Sequence, residues 1–405
     1  MTSRSDTPLD VLVVGAGPAG IAAALTAHRA GLRVRVVDKA VFPRDKCCGD
    51  GLTTGALRLL EQLGLRPETV PSWKPCRDVT LRSPSGREVH LQLPDDGQFA
   101  AIATRVDLDA ALVAHAKRAG IDIAEGVAFA GITNHADRHH VTTSHGELDA
   151  RVVIAADGMW SAVRKAVQPD RTAYLGEWHA MRQYASNVTG PASNKLFVWF
   201  EPELLPGYAW SFPLADGRAN LGFGILRGAS QKVGDMKSLW RDVLARDHVR
   251  AALGDGAVVD EKLSAWPIPA RVTRATLAVD NVLFVGDAAC VTDVLTGEGI
   301  GQALLSGMLA GRAAAQREPG RHYRRAMRRE FFADHRMSSV LGRVLGNEKL
   351  ARGAIRIIGN GDWRGEKFVR WMFEDEPRAG AFTPRRWHRG YLSSRGAYSR
   401  EVNVG

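Results

Sequence analysis

Short, mostly apolar runs recur along the chain, and each is followed by glycine or aspartate. These runs lie at 11–14, 34–37, 152–156 and 282–285. Runs of this kind are typical of strands that are buried on both faces of a parallel sheet. Segments rich in alanine and leucine at 21–30 and 304–315 predict helices that follow the first and last runs. The pattern therefore predicts an α/β fold.

Strict alternation marks a second kind of strand in the middle of the chain. Tyr208, Trp210 and Phe212 alternate in sequence, so their side chains project to one face of a strand. Other strand-like stretches lie at 181–188, 195–200 and 221–226, with a hairpin at about 79–93. They predict a second domain, built on an antiparallel sheet, that covers the α/β domain. We expect the substrate at the junction of the two domains, a common location for pockets.

The last quarter of the chain combines helical spacing with positive charge. Helices are predicted at 321–332, 338–345, 350–358 and 367–373. Tyr323, Met327 and Phe331 are spaced by four and share one helix face. Residues 1–311 carry 33 basic and 34 acidic side chains, whereas residues 312–405 carry 21 and 10. Two interpretations stay open: the segment binds an anionic membrane surface, or it caps the main body with a solvated arginine face.

Composition limits the class of protein. The chain has 405 residues, of which 45% are hydrophobic and 24% charged, as in ordinary globular proteins. It has no run of about 18 apolar residues and no visible signal peptide. Four cysteines are too few for a disulfide framework, and no Cys/His cluster has zinc-ligand spacing. We expect a cytoplasmic, reduced protein without a metal and, despite the net charge of +10, without a nucleic-acid partner.

The first predicted helix is preceded by a dinucleotide-binding motif. Gly15, Gly17 and Gly20 form GxGxxG between the strand at 11–14 and the helix. The first glycine permits a tight turn, the second lets the backbone approach a pyrophosphate, and the third lets the helix pack closely. Asp38 ends the next strand about 20 residues further on, where a carboxylate can accept ribose hydroxyls.

Two later strands end in further ligand-binding signals. Asp157 and Gly158 follow the run at 152–156, and Asp287 follows the run at 282–285. Both carboxylates thus lie at the C-terminal ends of parallel strands, where open α/β sheets bind ligands. Glycines at 297, 299 and 301 open the helix that follows. They allow a phosphate or a flavin anion to approach the helix N-terminus.

These motifs resemble those of the FAD superfamily typified by p-hydroxybenzoate hydroxylase. Residues 42–51 (FPRDKCCGDG), 206–213 (PGYAWSFP) and 296–300 (TGEGI) resemble, more narrowly, segments of the geranylgeranyl reductase family. Members of that family are FAD proteins that saturate isolated double bonds in long prenyl chains. The resemblance implies FAD contacts at a set of residues: Gly15, Gly17, Ala19, Gly20, Asp38, Lys39, Cys48, Gly49, Arg105, Val127, Asp157, Gly158, Asp287, Gly297, Gly299 and Ile300.

The resemblance also implies a division of the chain. We expect a Rossmann-type FAD-binding domain, an antiparallel-sheet substrate domain and a helical C-terminal segment. The boundaries are 1–76, 100–176 and 273–320 for the FAD-binding domain, 77–99 and 177–272 for the substrate domain, and 321–405 for the basic helical segment.

Saturation of an alkene requires a hydride from reduced FAD and a proton from the protein. Cys48 is the candidate donor, because the family motif places its cysteine near the flavin and a thiol with a pKa of about 8.5 is mostly protonated. Cys47 is its packing neighbour or disulfide partner. Asp293 is a second candidate donor, with a capping role as the alternative. Tyr208 and Trp210 are catalytic candidates as an aromatic wall for an apolar substrate, either a prenyl lipid or an aromatic scaffold.

The chain departs from the family just before TGEGI. Asp293 and Val294 stand where the family usually has asparagine and proline, and Cys290 replaces a small residue. This departure keeps an alternative open, an FAD-dependent monooxygenase or halogenase acting on an aromatic or polyketide product. A non-enzymatic flavin or lipid carrier is a third hypothesis. A second GxGxxG is absent from the sequence, so electrons would come from transiently bound NAD(P)H, a separate reductase or a small redox protein. The oligomeric state stays open, and the expected location is the cytoplasm or the inner face of the membrane.

Overall fold

The computed structural model describes residues 9–135, 138–168, 174–229, 231–359, 362–380, 383–384, 391 and 393–399. The strands are β1 (Leu9–Val14), β2 (Val34–Asp38), β3 (Gly51–Thr53), β4 (Lys74–Pro75), β5 (Asp78–Arg82), β6 (Glu88–Gln92), β7 (Ala100–Ile102), β8 (Asp122–Glu125), β9 (Phe129–Asn134), β10 (His139–Thr143), β11 (Gly146–Ala155), β12 (Trp178–Ser186), β13 (Leu196–Trp199), β14 (Ala209–Pro213), β15 (Ala219–Leu226), β16 (Val258–Val259), β17 (Ser264–Ile268), β18 (Ala278–Val279) and β19 (Val282–Phe284). The α-helices are α1 (Pro18–Arg29), α2 (Thr54–Leu63), α3 (Arg105–Arg118), α4 (Ala162–Val167), α5 (Met236–Leu244), α6 (Asp247–Leu253), α7 (Ile300–Ala314), α8 (Pro319–Leu345), α9 (Glu348–Ile358) and α10 (Asp362–Met372).

The first sheet has β1 near its centre. Its strand order is β18-β19-β11-β1-β2-β8, and the five strands from β19 to β8 are parallel. The predicted apolar runs form β1, β2, the end of β11 and β19. Leu12 and Val13 point to opposite faces and both are fully buried, so both faces of β1 are covered. The predicted α/β class is therefore confirmed.

The second sheet is almost wholly antiparallel. Its order is β16-β12-β15-β14-β13-β5-β6, with β17 also paired to β12, and only β13 and β5 run parallel. The hairpin predicted at 79–93 is β5–β6, which joins this sheet. Helix α5 packs on it, and the Trp240 ring stacks on Phe223 with centroids 5.3 Å apart. A third, smaller sheet has three strands in the order β3-β7-β4.

The C-terminal segment begins with one long helix instead of the two predicted. Helix α8 has 27 residues, because the linking residues 333–337 contain neither glycine nor proline and the helix continues through them. Tyr323, Met327 and Phe331 are buried, and the Tyr323 hydroxyl donates to the Phe284 carbonyl on β19 at 2.6 Å. The first half of α8 is therefore a cap on the first sheet. Within the described residues, none of the helices combines the length and apolar character that crossing a membrane requires.

Helix α7 lies directly against α1, the helix of the dinucleotide motif. Close contact is possible because glycines face α1: a Cβ on Gly307 would collide with the Ala19 carbonyl, and one on Gly311 would collide with the Ala23 carbonyl. Protein interiors are packed too densely to absorb an added methyl group without strain. The position of α1 thus depends on small residues almost 300 positions away in the sequence.

We predict that Gly307→Ala lowers the free energy of unfolding by about 1–3 kcal/mol, because the new methyl group displaces the start of α1. The matched control is Gly342→Ala on α8, where an added Cβ has no neighbour within 4 Å. This control should raise the free energy of unfolding by about 0.5–1 kcal/mol, as alanine does in place of helical glycine. Urea unfolding measures both values, and a Gly307→Ala variant as stable as the parent would contradict the packing argument.

Candidate active site

A cavity of about 560 Å³ lies where the two large sheets meet. Its walls come from the C-terminal ends of the parallel strands, from segment 44–51 and from the second sheet. The structure brings together on these walls the residues singled out from the sequence for cofactor binding or catalysis, except Gly20, Gly301 and Asp293. Gly20 is packed behind the loop, where a Cβ would collide with the Gly15 carbonyl. Residues that are distant in the chain therefore surround one space.

The glycines at the start of α1 have separate structural roles. Gly15 has φ of +109°, and a Cβ there would collide with the Ala156 carbonyl. A Cβ on Gly17 would meet only the Arg44 side chain, 3.6 Å away, so this glycine leaves open space in the cavity. The first turn of α1 has neither a capping side chain nor an acidic residue. Its free N–H groups suit an anion such as a pyrophosphate.

Two arginines share one buried carboxylate beside this helix. Arg105 donates from Nε and Nη2 to the Asp109 carboxylate at 2.8 and 2.7 Å, and Arg44 Nη1 lies 2.9 Å from Asp109 Oδ2. Burial acts to lower the pKa of Arg105, but Asp109 outweighs burial and raises it, so the guanidinium stays charged. Two positive charges on one negative charge leave a positive balance next to the α1 N-terminus. Arg44 was not singled out from the sequence, although it lies in the 42–51 segment.

Three aspartates stand at the strand ends as the motifs predicted. Asp38 accepts from the backbone N–H groups of Ala16 and Ala40 at 2.6 and 2.8 Å, which leaves its remaining lone pairs for a ribose. Asp157 accepts from the Val163 N–H at 3.0 Å, and its buried Oδ1 has no hydrogen-bond partner among the residues that the structure describes. Asp287 pairs with the Lys46 ammonium at 2.8 Å.

These features fit a flavin dinucleotide. A diphosphate suits the space over Gly17, between the α1 N-terminus and the two arginines. Ribose and ribityl hydroxyls suit the carboxylates of Asp38 and Asp287. The unpartnered oxygen of Asp157 marks a polar position that a ligand donor can satisfy, since buried polar atoms are normally hydrogen-bonded.

A hydrogen-bond network fixes the segment that carries the adjacent free cysteines Cys47 and Cys48. The buried Asp50 carboxylate accepts from the Tyr184 hydroxyl and from Asn220 Nδ2, both at 2.8 Å. Asn220 also donates to the Cys48 carbonyl at 2.9 Å and accepts from the Trp210 indole N–H at 3.0 Å. The network joins the cysteine segment to β14 and β15. Asp50 lies in the 42–51 motif and Asn220 directly precedes the strand-like stretch at 221–226, but neither was predicted as a site residue, because burial and contacts at this separation follow only from the tertiary structure.

The two cysteines beside the network hold their protons tightly. Burial raises the pKa of the Cys48 thiol to about 11, and it raises that of Cys47 to about 11 as well. Burial also raises the pKa of Asp50, to about 6. At neutral pH both thiols are therefore protonated and can donate a proton.

The aromatic side chains of the second sheet form one wall of the cavity. Tyr208 and Trp210 have ring centroids 6.1 Å apart, and Trp210 and Phe212 are also separated by 6.1 Å. This wall faces the cysteine segment closely, since a Cβ on Gly49 would lie 3.5 Å from both Trp210 and Phe212. The Tyr208 hydroxyl donates to the carbonyl of Thr296 in the TGEGI loop. The wall offers flat apolar surface next to the cysteine segment.

The departure from the family pattern at Asp293 is compensated by the C-terminal segment. Asp293 Oδ1 accepts from the backbone N–H groups of Leu295 and Thr296 at 3.0 and 2.8 Å. Its Oδ2 accepts from Ser338 at 2.6 Å and lies 3.3 Å from Arg378 Nε. Burial acts to raise the pKa of Asp293, but Arg378 and these donors outweigh it and lower the pKa. Asp293 is thus an ionised turn residue and a poor proton donor, which leaves its capping role.

The same segment also places a charged group near the glutamate of TGEGI. Glu298 Oε1 accepts from the N–H groups of Ile300 and Gly301 at 2.9 and 3.2 Å, at the start of α7. Burial and the nearby Glu374 carboxylate raise the pKa of Glu298. Arg378 lies 3.5 Å from Glu374 and 2% of its side chain is exposed, so it balances this group of carboxylates. The contact of residues 374–378 with the TGEGI loop was not predicted from the sequence, since no local pattern indicates the return of the chain.

Comparison with known proteins agrees with this geometry. The FAD binding domain family matches residues 8–317. A menaquinone reductase of Mycobacterium tuberculosis (strain ATCC 25618 / H37Rv) is 34% identical over 338 residues, which cover 78% of this chain and 79% of that protein. Digeranylgeranylglycerophospholipid reductase 2 of Methanopyrus kandleri is 31% identical over 322 residues, covering 76% and 77%. The chain belongs to the geranylgeranyl reductase family of FAD-dependent oxidoreductases.

Solved structures show the same fold at lower identity. A geranylgeranyl bacteriochlorophyll reductase-like protein from Thermoplasma acidophilum superposes with a TM-score of 0.76 at 21% identity, covering 91% of this chain and 96% of that one. A probable FAD-dependent monooxygenase from Pseudomonas aeruginosa gives a TM-score of 0.67 at 18% identity, covering 86% and 100%. At these identities the likeness establishes the architecture alone.

We predict that Arg378→Met lowers the free energy of unfolding by about 3–5 kcal/mol, because it leaves Asp293 as a buried charge without its partner. The double variant Asp293→Asn/Arg378→Met should recover a large part of this loss, since the unpaired charge is gone and the amide oxygen can still accept from the turn. The control is Arg321→Met, which removes an exposed partner of Glu318 and should cost less than about 1 kcal/mol. A double-mutant cycle by urea unfolding that shows no coupling would contradict the assignment.

Proposed function

We propose that the protein uses reduced FAD to saturate C=C bonds in the isoprenoid chain of a lipid or quinone. The observation that carries the proposal is the aromatic wall of Tyr208, Trp210 and Phe212 facing the Cys48 segment, next to a cavity end suited to a dinucleotide. The names of the relatives support the same substrate class, because one refers to menaquinone and the other to a digeranylgeranyl lipid.

The proposed cofactor contacts follow the electrostatics of the cavity. The backbone at Gly15, Gly17 and Ala19 would hold the diphosphate, together with Arg44 and Arg105. Asp38 and Asp287 would accept the sugar hydroxyls. The remaining proposed contacts line the same walls: Lys39, Cys48, Gly49, Val127, Asp157, Gly158, Gly297, Gly299 and Ile300. Gly20 contributes through the packing of α1.

Reduced FAD supplies the hydride that one carbon of the double bond receives. Cys48 would donate a proton to the adjacent carbon, so that one hydride and one proton complete the saturated bond. The thiolate left on Cys48 is strongly basic in this buried site and regains a proton from water that enters with product exchange. Tyr208 and Trp210 would orient the chain and exclude water, which binds poorly to an apolar wall.

The electron donor and the site of action belong to the proposal as well. A reduced nicotinamide, bound transiently or through a separate reductase, would restore the reduced cofactor, because the sequence has only one dinucleotide motif. Long isoprenoid substrates reside in membranes, so we place the working enzyme at the surface of a membrane.

We predict that the anaerobically reduced enzyme adds one hydride and one proton to each reduced bond of a digeranylgeranyl lipid or a menaquinone. In heavy water, each reduced bond should gain up to two deuterium atoms from the solvent, because the Cys48 thiol hydrogen and the N–H hydrogen that reduced FAD transfers both exchange with water. Mass spectrometry of the extracted lipid measures both the number of reduced bonds and the number of deuterium atoms gained. The competing monooxygenase would instead insert labelled oxygen from air into an aromatic substrate, and that result together with unchanged prenyl lipids would overturn the proposal.

We predict that Cys48→Ala lowers the rate of bond reduction by about 10²-fold or more, because it removes the proton donor while FAD stays bound. Cys47→Ala is the matched control, since Cys47 lines the same cavity and burial raises its pKa to a similar value. Its rate should stay close to that of the parent. The parent's rate should not fall between pH 7 and 9, since a thiol with a pKa of about 11 remains protonated there. Equal rates for the two variants would exclude Cys48 as the donor.

A further inference from the structure

Exposed apolar side chains are concentrated on two consecutive helices of the C-terminal segment. Val340 and Val344 on α8 are 52% and 39% exposed, and Leu350 and Ile357 on α9 are 52% and 62% exposed. The first two are one helical turn apart and the second two are two turns apart, so each pair lies along one helix face. Helix α9 buries Ala351, Ile355 and Ile358 on another face. Packing within the described part of the chain therefore does not account for the four exposed side chains.

Positive charge surrounds these side chains. Residues 336–359 contain five basic residues and one acidic residue, Glu348, which pairs with Arg352. Arg336, Arg343, Lys349 and Arg356 form no ion pair with any residue that the structure describes. We call Val340, Val344, Leu350, Ile357 and the basic residues of 336–359 the α8–α9 surface.

The α8–α9 surface adjoins the substrate side of the molecule. The end of α8 approaches the aromatic motif, since a Cβ on Gly346 would lie 3.9 Å from Pro206, two residues before Tyr208. The end of α9 approaches β6 of the second sheet, where a Cβ on Gly359 would lie 2.9 Å from Val89. A partner bound to this surface would thus be close to the sheet that lines the cavity.

The combination of charge and apolar side chains selects the partner. A second copy of the chain would present the same excess of positive charge and would be repelled. An anionic lipid surface attracts clustered lysine and arginine, and aliphatic side chains gain free energy by entering the acyl boundary. We propose that the α8–α9 surface docks the protein on an anionic phospholipid bilayer. Tyr323, Met327 and Phe331, which the sequence places on one helix face of the same segment, are buried and take no part.

The test is co-sedimentation of the FAD-loaded full chain with vesicles of phosphatidylcholine, with and without phosphatidylglycerol. We expect binding only to the anionic vesicles and a steep loss of binding as salt is raised. Leu350→Gln/Ile357→Gln should weaken the partition by about tenfold or more, and Arg343→Gln/Lys349→Gln by about fivefold for each charge removed. Val258→Gln is the control, because Val258 is 56% exposed on β16, away from these helices, and this variant should bind like the parent.

Two outcomes would overturn the proposal. The first is that the parent protein does not bind anionic vesicles, or that the variants bind them as well as the parent does. The other is a dimer, measured by light scattering, that Leu350→Gln/Ile357→Gln dissociates, which would assign the surface to a second copy. The docking surface is independent of the proposed chemistry: reduction of a detergent-dispersed lipid should be the same in the variants and the parent, so failure of docking and failure of the reductase are distinguishable.

Discussion

One buried carboxylate at the junction of the two sheets holds the site together. Asp50 accepts from the Arg105 backbone N–H at 3.2 Å, at the start of α3, and from Tyr184 and Asn220 on the second sheet. An unmet hydrogen bond in a buried position costs more free energy than a typical bond contributes, so these three donors restrict how the sheets can shift. The spacing between the dinucleotide end, Cys48 and the aromatic wall depends on this restriction.

The C-terminal segment stabilises the TGEGI loop. Arg378 reaches Asp293 in the TGEGI loop, and Ser338 of α8 reaches the same carboxylate. The acid in place of the family's asparagine thus does not loosen the loop, because this chain supplies a positive charge to match it. The loop and the segment depend on each other, since each would leave a buried charge without its partner if the other moved.

The basic residues of the chain lie in three different environments in the folded protein. Arg44 and Arg105 concentrate positive potential at the dinucleotide end of the cavity. Arg378 neutralises the buried carboxylates of Asp293 and Glu374. The basic residues around α9 remain on the surface, where their charge acts on partners at a distance limited by salt screening. The net charge of +10 for the whole chain therefore describes none of these environments.

The sequence by itself determined the α/β class, the order of the dinucleotide motifs and the family, because strand burial and phosphate binding leave short, local patterns such as Gly15-x-Gly17-x-x-Gly20. It also placed Tyr208, Trp210 and Phe212 on one strand face. Only the tertiary structure showed that Asp50 and Asn220 meet beside Cys48, that Arg378 returns to Asp293, and that Tyr323 is buried whereas Leu350 is exposed. Contacts of this kind join residues far apart in the chain. Burial, which sets their pKa values and their exposure, is a property of the packed molecule and leaves no local pattern.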